Sequence, residues 1–187
     1  LTEEKATYLD ELVLTAISDS MTCGIQPLID NIRVGTVKVP APRTDYELDL
    51  CRNLSELLSK YGTDMKFYES SVSLGKYEYE ELYRTNYFQG ESSEIIYTLS
   101  DKNTRYAYLS SKVYEIASAT SINKLSECDV LILGYTGARS KEFDLLLGDV
   151  KQIICIGKSD ISEEANEFYM EKDVEIICSE SKELLFQ

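Results

Sequence analysis

The sequence predicts an α/β (α+β) chain in which sheet is covered by helices. Three observations lead to that class. Strand and helix patterns alternate at both ends of the chain, and short paired strands with turn signals fill its middle. The third is the stretch Asp10–Ile25, where an apolar run (Leu12, Val13, Leu14) stops at Thr15 and opens into small polar residues. Gly24 reads as the turn before an apolar helix start at Ile25. A buried strand whose carboxyl end becomes a loop is where sheets with helical crossovers usually place their chemistry.

Taken in order, Thr2–Leu9 reads as a short amphipathic helix capped by Thr2, with Ala6 and Leu9 inward. Glu11–Thr15 is the first strand. Ile25–Ile32 has helical spacing, with Pro27 tolerated in its first turn. Gly35–Pro40 is a strand stopped by Pro40 and Pro42. Asp45–Tyr61 is the strongest helix, carrying Leu48, Leu50, Leu54, Leu57 and Leu58, and Gly62 is its stop signal.

Asp64–Glu69 and Val72–Leu74 are short strands around Ser70 and Ser71. Tyr77–Tyr83 alternates aromatic and acidic residues, as a half-exposed strand does. Arg84–Ser93 is polar and reads as loop. Glu94–Leu99 and Thr104–Leu109 flank the turn sequence from Ser100 to Asn103. Lys112–Ala119 reads as a helix. Asp129–Leu133, Gln152–Ile156 and Val174–Cys178 are strands separated by helices at Glu142–Leu147 and Glu163–Lys172, and Glu183–Phe186 adds an edge strand.

With 187 residues and 43% hydrophobic content, the chain is read as one domain, 1–187, with a sizeable core. No apolar run approaches the roughly 20 residues that span a bilayer. No basic-then-apolar signal peptide is visible, although the chain could be a soluble piece of a longer membrane-bound protein. Nineteen Lys and Arg against 33 Asp and Glu give a net charge of −14, which disfavours direct nucleic-acid binding. The dispersed charges read as solvated faces. Five widely spaced cysteines without a C-x-x-C point to reduced thiols, not to a disulfide framework or a cysteine-only zinc site. Fourteen tyrosines and no tryptophan suit a sheet-rich chain. The complete absence of histidine removes the commonest general base and the commonest metal ligand.

Four segments, in order, resemble the metallo-β-lactamase fold, with similarity to the carboxyl-terminal domain of the ComEC-type DNA-uptake (competence) proteins. Leu12–Ile25, followed by a helix and Val34–Pro42, is similar to the family's L-V-L-T-H-x-H-x-D-H-x-x-G, helix, V-x-x-V-x-V-P. Ser93–Leu99 with Arg105–Ser111 resembles its S-x-V-x-x-L hairpin ending in L-L-T-G-D. Cys128–Ala138 stands where the family reads D-V-L-K-x-x-H-H-G-S, and Gln152–Gly157 is similar to the next core strand. The resemblance implies an αββα sandwich lacking the first strands of its amino-terminal half, so that the domain starts incomplete. It also implies a bacterial, membrane-tethered setting, on a side of the cytoplasmic membrane left open, and a metal-dependent nuclease activity in intact members. The implied partners are the membrane channel part of the same protein or other proteins, with no membrane insertion of this segment itself.

The implied chemistry depends on a zinc or manganese pair that generates hydroxide and stabilises phosphoryl charge. Position by position, its ligands become Ala16, Ser18, Ser20 and Met21, with Ser111 at the hairpin end and Tyr135 and Thr136 in the last motif. Ala and Met cannot hold a hard dication, and Ser and Thr are weak neutral ligands. The expectation is a pseudoenzyme with no catalytic residue, metal or cofactor. Asp19 stands as a remnant ligand or general base, or as a plain turn or capping residue, and the second reading is favoured because no partner is visible. Cys23 lacks an adjacent base. Ser18, Ser20, Ser110 and Ser111 would cluster on this alignment, with Lys112 the nearest base. Tyr135, Thr136 and Arg139 are a ligand site or a turn over an emptied one. Tyr77, Tyr79 and Tyr83, with acidic neighbours, form a sheet face or protein contact more readily than a base-stacking platform. The competing expectation is an active metal-dependent phosphodiesterase with non-standard ligands, Asp19 among them.

Overall fold

Two sheets organise the chain. The computed structural model describes residues 7–89, 94–110, 119–133, 150–156, 167, 170–171 and 175–179. The first sheet holds β1 (Tyr8–Val13), β2 (Arg33–Pro40) and β3 (Asp64–Tyr68) in that order, all parallel. Parallel neighbours need crossovers, and these are α1 (Asp19–Ile29) and α2 (Asp45–Lys60). Leu12 pairs with Val37, and Val37 with Met65.

The leucine spacing of α2 and the alternation of β2 converge on one core: Leu14, Ile25, Ile29, Val34, Val37, Val39, Leu54 and Leu58. Burying each such side chain contributes about 1.5–3 kcal/mol. The stop after α2 follows from Gly62, whose φ of +67° is left-handed. There the Gly62 amide donates to the Ser59 carbonyl and the Thr63 amide to the Leu58 carbonyl, satisfying the last turn.

The second sheet contains β4 (Ser71–Leu74), β5 (Tyr77–Arg84), β6 (Ile95–Ser100), β7 (Arg105–Leu109), β8 (Val130–Leu133), β9 (Gln152–Ile156) and β10 (Glu175–Ser179). Its order is β10-β9-β8-β7-β6-β5-β4. β6 and β7 are an antiparallel hairpin, and β7 through β10 run parallel. The hairpin turn is built by Asp101, whose carboxylate accepts from the Asn103 and Thr104 amides at 2.9 and 3.0 Å. Those two bonds, with Lys76 nearby, hold its carboxyl below its ordinary value. Tyr79, Tyr97 and Tyr108 form a ladder across β5, β6 and β7, with successive ring centroids 5.1 and 5.0 Å apart. Leu125 of α3 (Ala119–Ser126) is fully buried. By internal contacts the chain divides into two units, Leu1–Leu74 with Arg84–Ser93, and Gly75–Tyr83 with Glu94–Gln187.

Several expected elements shift. Leu9 is in β1, not in a helix, because the parallel ladder recruits it opposite Val34; residues 2–6 lie outside the described residues. The helix expected from Ile25 begins at Asp19, because Ser18 caps it. Gly24 and Pro27 are therefore inside α1, and Gly24 is neither a turn nor in a left-handed conformation. Arg84 ends β5 instead of opening a loop. Of the helix expected at Lys112–Ala119, only Ala119 is described, and it begins α3. Within Glu163–Lys172, residues 167 and 170–171 are helical. Glu142–Leu147 and Glu183–Phe186 lie outside the described residues. The expectation of solvated charges fails at Glu47, Glu81 and Arg84, all buried.

Candidate functional site

The carboxyl end of β1 is held on two sides. The Leu14 amide donates to the Lys38 carbonyl at 2.9 Å, and the buried Tyr68 hydroxyl donates to the Leu14 carbonyl at 2.7 Å. Ala16 and Ile17 are buried, and the chain then turns into α1 at Ser18. Ser18 is extended (φ −154°, ψ 161°), and its Oγ accepts from the Met21 amide at 3.3 Å. This is the cap geometry that satisfies one of the free amides at a helix start. Ser18 Oγ also lies 3.1 Å from Ser20 Oγ. Thr22 Oγ1 donates to the Ser18 and Asp19 carbonyls.

Asp19 is the first residue of α1 and is half-buried. Its carboxylate accepts from the Tyr46 hydroxyl at 3.0 and 3.1 Å and from the Tyr87 hydroxyl at 2.9 Å. Tyr87 Oη in turn accepts from the Asp19 amide at 3.4 Å. The two rings are tilted neighbours, 5.9 Å between centroids. Burial, then the hydrogen bond to Asp19, pushes the Tyr46 hydroxyl above its ordinary value.

Tyr87 is seated by a buried ion pair. Glu47 Oε1 accepts from Arg84 Nη1 and from the Tyr87 amide, both at 3.0 Å. Glu47 Oε2 accepts from the Arg43 amide at 2.5 Å. The Glu47 and Arg84 side chains are 0% and 1% exposed. Arg84 Nη2 donates to the Ala41 carbonyl, Arg43 Nη1 to the Arg84 carbonyl, and Thr44 Oγ1 to the Tyr87 carbonyl. Buried charge is tolerable only when paired and hydrogen-bonded in this way.

The structure thus brings Ala16, Ser18, Asp19, Ser20 and Met21 to one strand end. Ser111, Tyr135 and Thr136, with Lys112 and Arg139, lie outside the described residues. The expectation that Asp19 lacks a partner is corrected, since two tyrosine hydroxyls donate to it at the first position of α1. Cys23 lies a full turn into α1 and not at its amino terminus. The Cys51 and Cys128 thiols are pushed up to about 11 by burial. Ser110 Oγ accepts from the Ile95 amide and donates to Glu94, closing the β6–β7 pair. Tyr79 is buried in the ladder and unavailable for base stacking.

The residues at this strand end do not fit a divalent cation. Ala16 has no donor, Met21 offers a soft thioether, and the Ser18 hydroxyl is spent on the helix cap. The carboxylate of Asp19 accepts two tyrosine hydroxyls and is a single anionic donor where such a site needs several. Among the described residues, no three His, Cys, Asp or Glu side chains group as a metal site.

Glu47, Arg84 and Tyr87 are the members of this cluster that sequence reading missed. One signal was available. Thr44-Asp-Tyr-Glu47 has the S/T-x-x-E spacing of a capping box, and Thr44 Oγ1 does accept from the Glu47 amide at 3.1 Å. Nothing local marks Arg84 or Tyr87, which meet Glu47 about 40 residues away in sequence.

A scan against protein-family models and a search of curated proteins find no match. Solved structures do match. One is a mutant of the CmlA β-hydroxylase of Streptomyces venezuelae, at TM-score 0.51 and 11% identity over 92% of this chain and 43% of that one. Another is a diphosphatase of the PhnP family, at TM-score 0.49 and 14% identity over 92% and 69%. A third is a possible metal-dependent hydrolase from Veillonella parvula, at TM-score 0.46 and 12% identity over 94% and 75%. This chain spans less than half of the CmlA structure. At such identities the likeness is one of fold. The chain has a mixed α/β fold of sheets and helices.

Proposed function

We propose that this chain is a non-catalytic metallo-β-lactamase-like domain of a ComEC-type competence protein, with a structural or protein-binding role. One observation carries the reading. The strand end keeps its scaffold, while its ligand positions hold Ala16, Ser18, Ser20 and Met21 and its one carboxylate is occupied by Tyr46 and Tyr87. A hydroxide-generating metal centre needs several anionic or imidazole donors with an open position, and the described residues of this strand end supply one, Asp19. No cofactor is expected. The proposed partners are the membrane channel part of the same protein or other proteins. The proposed setting is a domain tethered to the bacterial cytoplasmic membrane. No helix among the described residues is long and apolar enough to cross a membrane, so the tether would be carried elsewhere.

The test is elemental analysis of chain purified without chelator and then exposed to zinc or manganese. The expected result is metal far below one equivalent after gel filtration; stoichiometric retention overturns the reading. The competing reading is a metal-dependent phosphodiesterase using Asp19, which rests on the fold and on Asp19 standing at the strand end. A nuclease assay with manganese separates the two, since cleavage that Asp19→Ala abolishes would establish the competing one. The ComEC-type assignment is tested by the chain preceding Leu1 in the full-length protein. A polytopic membrane segment there supports it, and a soluble neighbour refutes it.

A further inference from the structure

We propose that Tyr87 is a latch: its hydroxyl on Asp19 straps the segment that follows β5 onto the amino terminus of α1, and this protein-only contact fixes the 16–22 turn. The inference rests on the geometry of the cluster and not on the membrane assignment. It does share with the proposed function the reading that no cation organises this strand end.

Three observations converge. Tyr87 is 4% exposed although it lies in irregular chain after a strand, where a large aromatic is ordinarily free to swing out. Its backbone is gripped at both polar atoms. The amide donates to Glu47 Oε1 at 3.0 Å, and the carbonyl accepts from Thr44 Oγ1 at 2.9 Å. Its hydroxyl is then used twice on one residue, donating to the Asp19 carboxylate and accepting from the Asp19 amide. The second contact matters because Asp19 N is one of the first amides of α1, which have no partner inside the helix. Tyr87 therefore completes what the Ser18 cap begins. The next residue, Phe88, is 50% exposed, so burial of the strap is confined to the latch residue.

This layout makes the latch directional. Glu47 and Arg84 are wholly buried and seat the strap on α2, whereas Asp19 and Tyr46 are only half-buried and form its outer catch. Opening should begin at Asp19 and leave the Glu47–Arg84 pair intact. Loss of a hydrogen bond to a charged group corresponds to about a tenfold change in a local opening equilibrium.

The experiment is amide hydrogen exchange on the full chain, comparing wild type with Tyr87→Phe, Asp19→Asn and the double variant. Circular dichroism serves as the check on folding. Tyr87→Phe is expected to speed exchange about tenfold in residues 16–22 and 85–89, with β2 and the later part of α2 unchanged. The effects should combine to less than their product in the double variant, because both changes break the Tyr87–Asp19 contact while Asp19→Asn also weakens the Tyr46 bond. Unchanged exchange at 16–22 in folded Tyr87→Phe overturns the latch, and so does a double variant whose effects multiply. Should Tyr87→Phe fail to fold, Asp19→Asn alone carries the same expectation for 16–22 and 85–89. A parallel arm adds manganese to wild type. Protection of 16–22 by the metal would overturn both the latch and the pseudoenzyme reading, whereas unchanged exchange in Tyr87→Phe without metal protection overturns the latch alone.

Discussion

Tyrosine is used in opposite ways in the two units. At the end of the first sheet, Tyr46 and Tyr87 are chosen for their hydroxyls, which donate to Asp19 at 2.9–3.1 Å. On the second sheet, Tyr79, Tyr97 and Tyr108 are chosen for their rings, which step across three strands at about 5 Å. The polar cluster is directional, and removing one member strands another. The ladder is held by area and ring packing, which tolerate the loss of an oxygen. Composition alone cannot separate these uses, because a high tyrosine count is compatible with either.

The contrast is broken most directly at Arg84. Arg84→Ala leaves the buried carboxylate of Glu47 without its counter-charge, so denaturant unfolding should show a loss of about 3–5 kcal/mol. A loss under 1 kcal/mol would mean that the cluster is not cooperative. Tyr46→Phe removes one donor from the Asp19 carboxylate and should lower stability in denaturant unfolding by clearly less than Arg84→Ala does. A smaller effect comes from α1 itself. Gly24 is exposed in mid-helix, and a Cβ there would meet nothing within 4 Å. Gly24→Ala should therefore stabilise by about 0.5–1 kcal/mol, a gain of helix propensity that touches neither tyrosine set. A loss instead would show that the glycine serves a contact.

The smallest effect at neutral pH sharpens the comparison. Tyr97→Phe keeps the ring and should change stability by less than about 0.5 kcal/mol. Its signature lies at high pH. Burial, with Tyr108 adjacent, pushes the Tyr97 hydroxyl up to about 12. The folded state then holds its proton more tightly than the unfolded chain, whose tyrosines release theirs near pH 10. That contribution is fully present below about pH 10 and is lost as pH rises through about 12. Unfolding measured between pH 9 and 12 should fall less steeply for Tyr97→Phe than for wild type, and identical slopes would refute the assignment.

Much of the fold was legible because its signals are local. The leucines of α2, the alternation of β5 and the run Gln152–Ile156 each announce their element within ten or so residues. The start of α1 was misread because Gly24 and Pro27 are strong turn signals. The structure overrides them with the Ser18 cap, which starts the helix six residues before Ile25. Gly35 shows the same limit in reverse. It reads as an ordinary strand residue, yet the backbone of β1 comes so near that a Cβ would lie 2.7 Å from the Asp10 carbonyl oxygen.

By itself, the sequence determined the mixed α/β class of fold and the run of small polar residues after the first strand. Those conclusions rest on periodicity and on the chemistry of residue types, both of which are properties of the chain. Only the tertiary structure decided which partners the polar residues there would find. Asp19, Glu47, Arg84 and Tyr87 are scattered over 69 positions and look like solvated polar residues in isolation. They become one hydrogen-bonded cluster because residues 84–87 pack against α2 and the start of α1 within one unit, and burial then obliges the charges of Glu47 and Arg84 to pair.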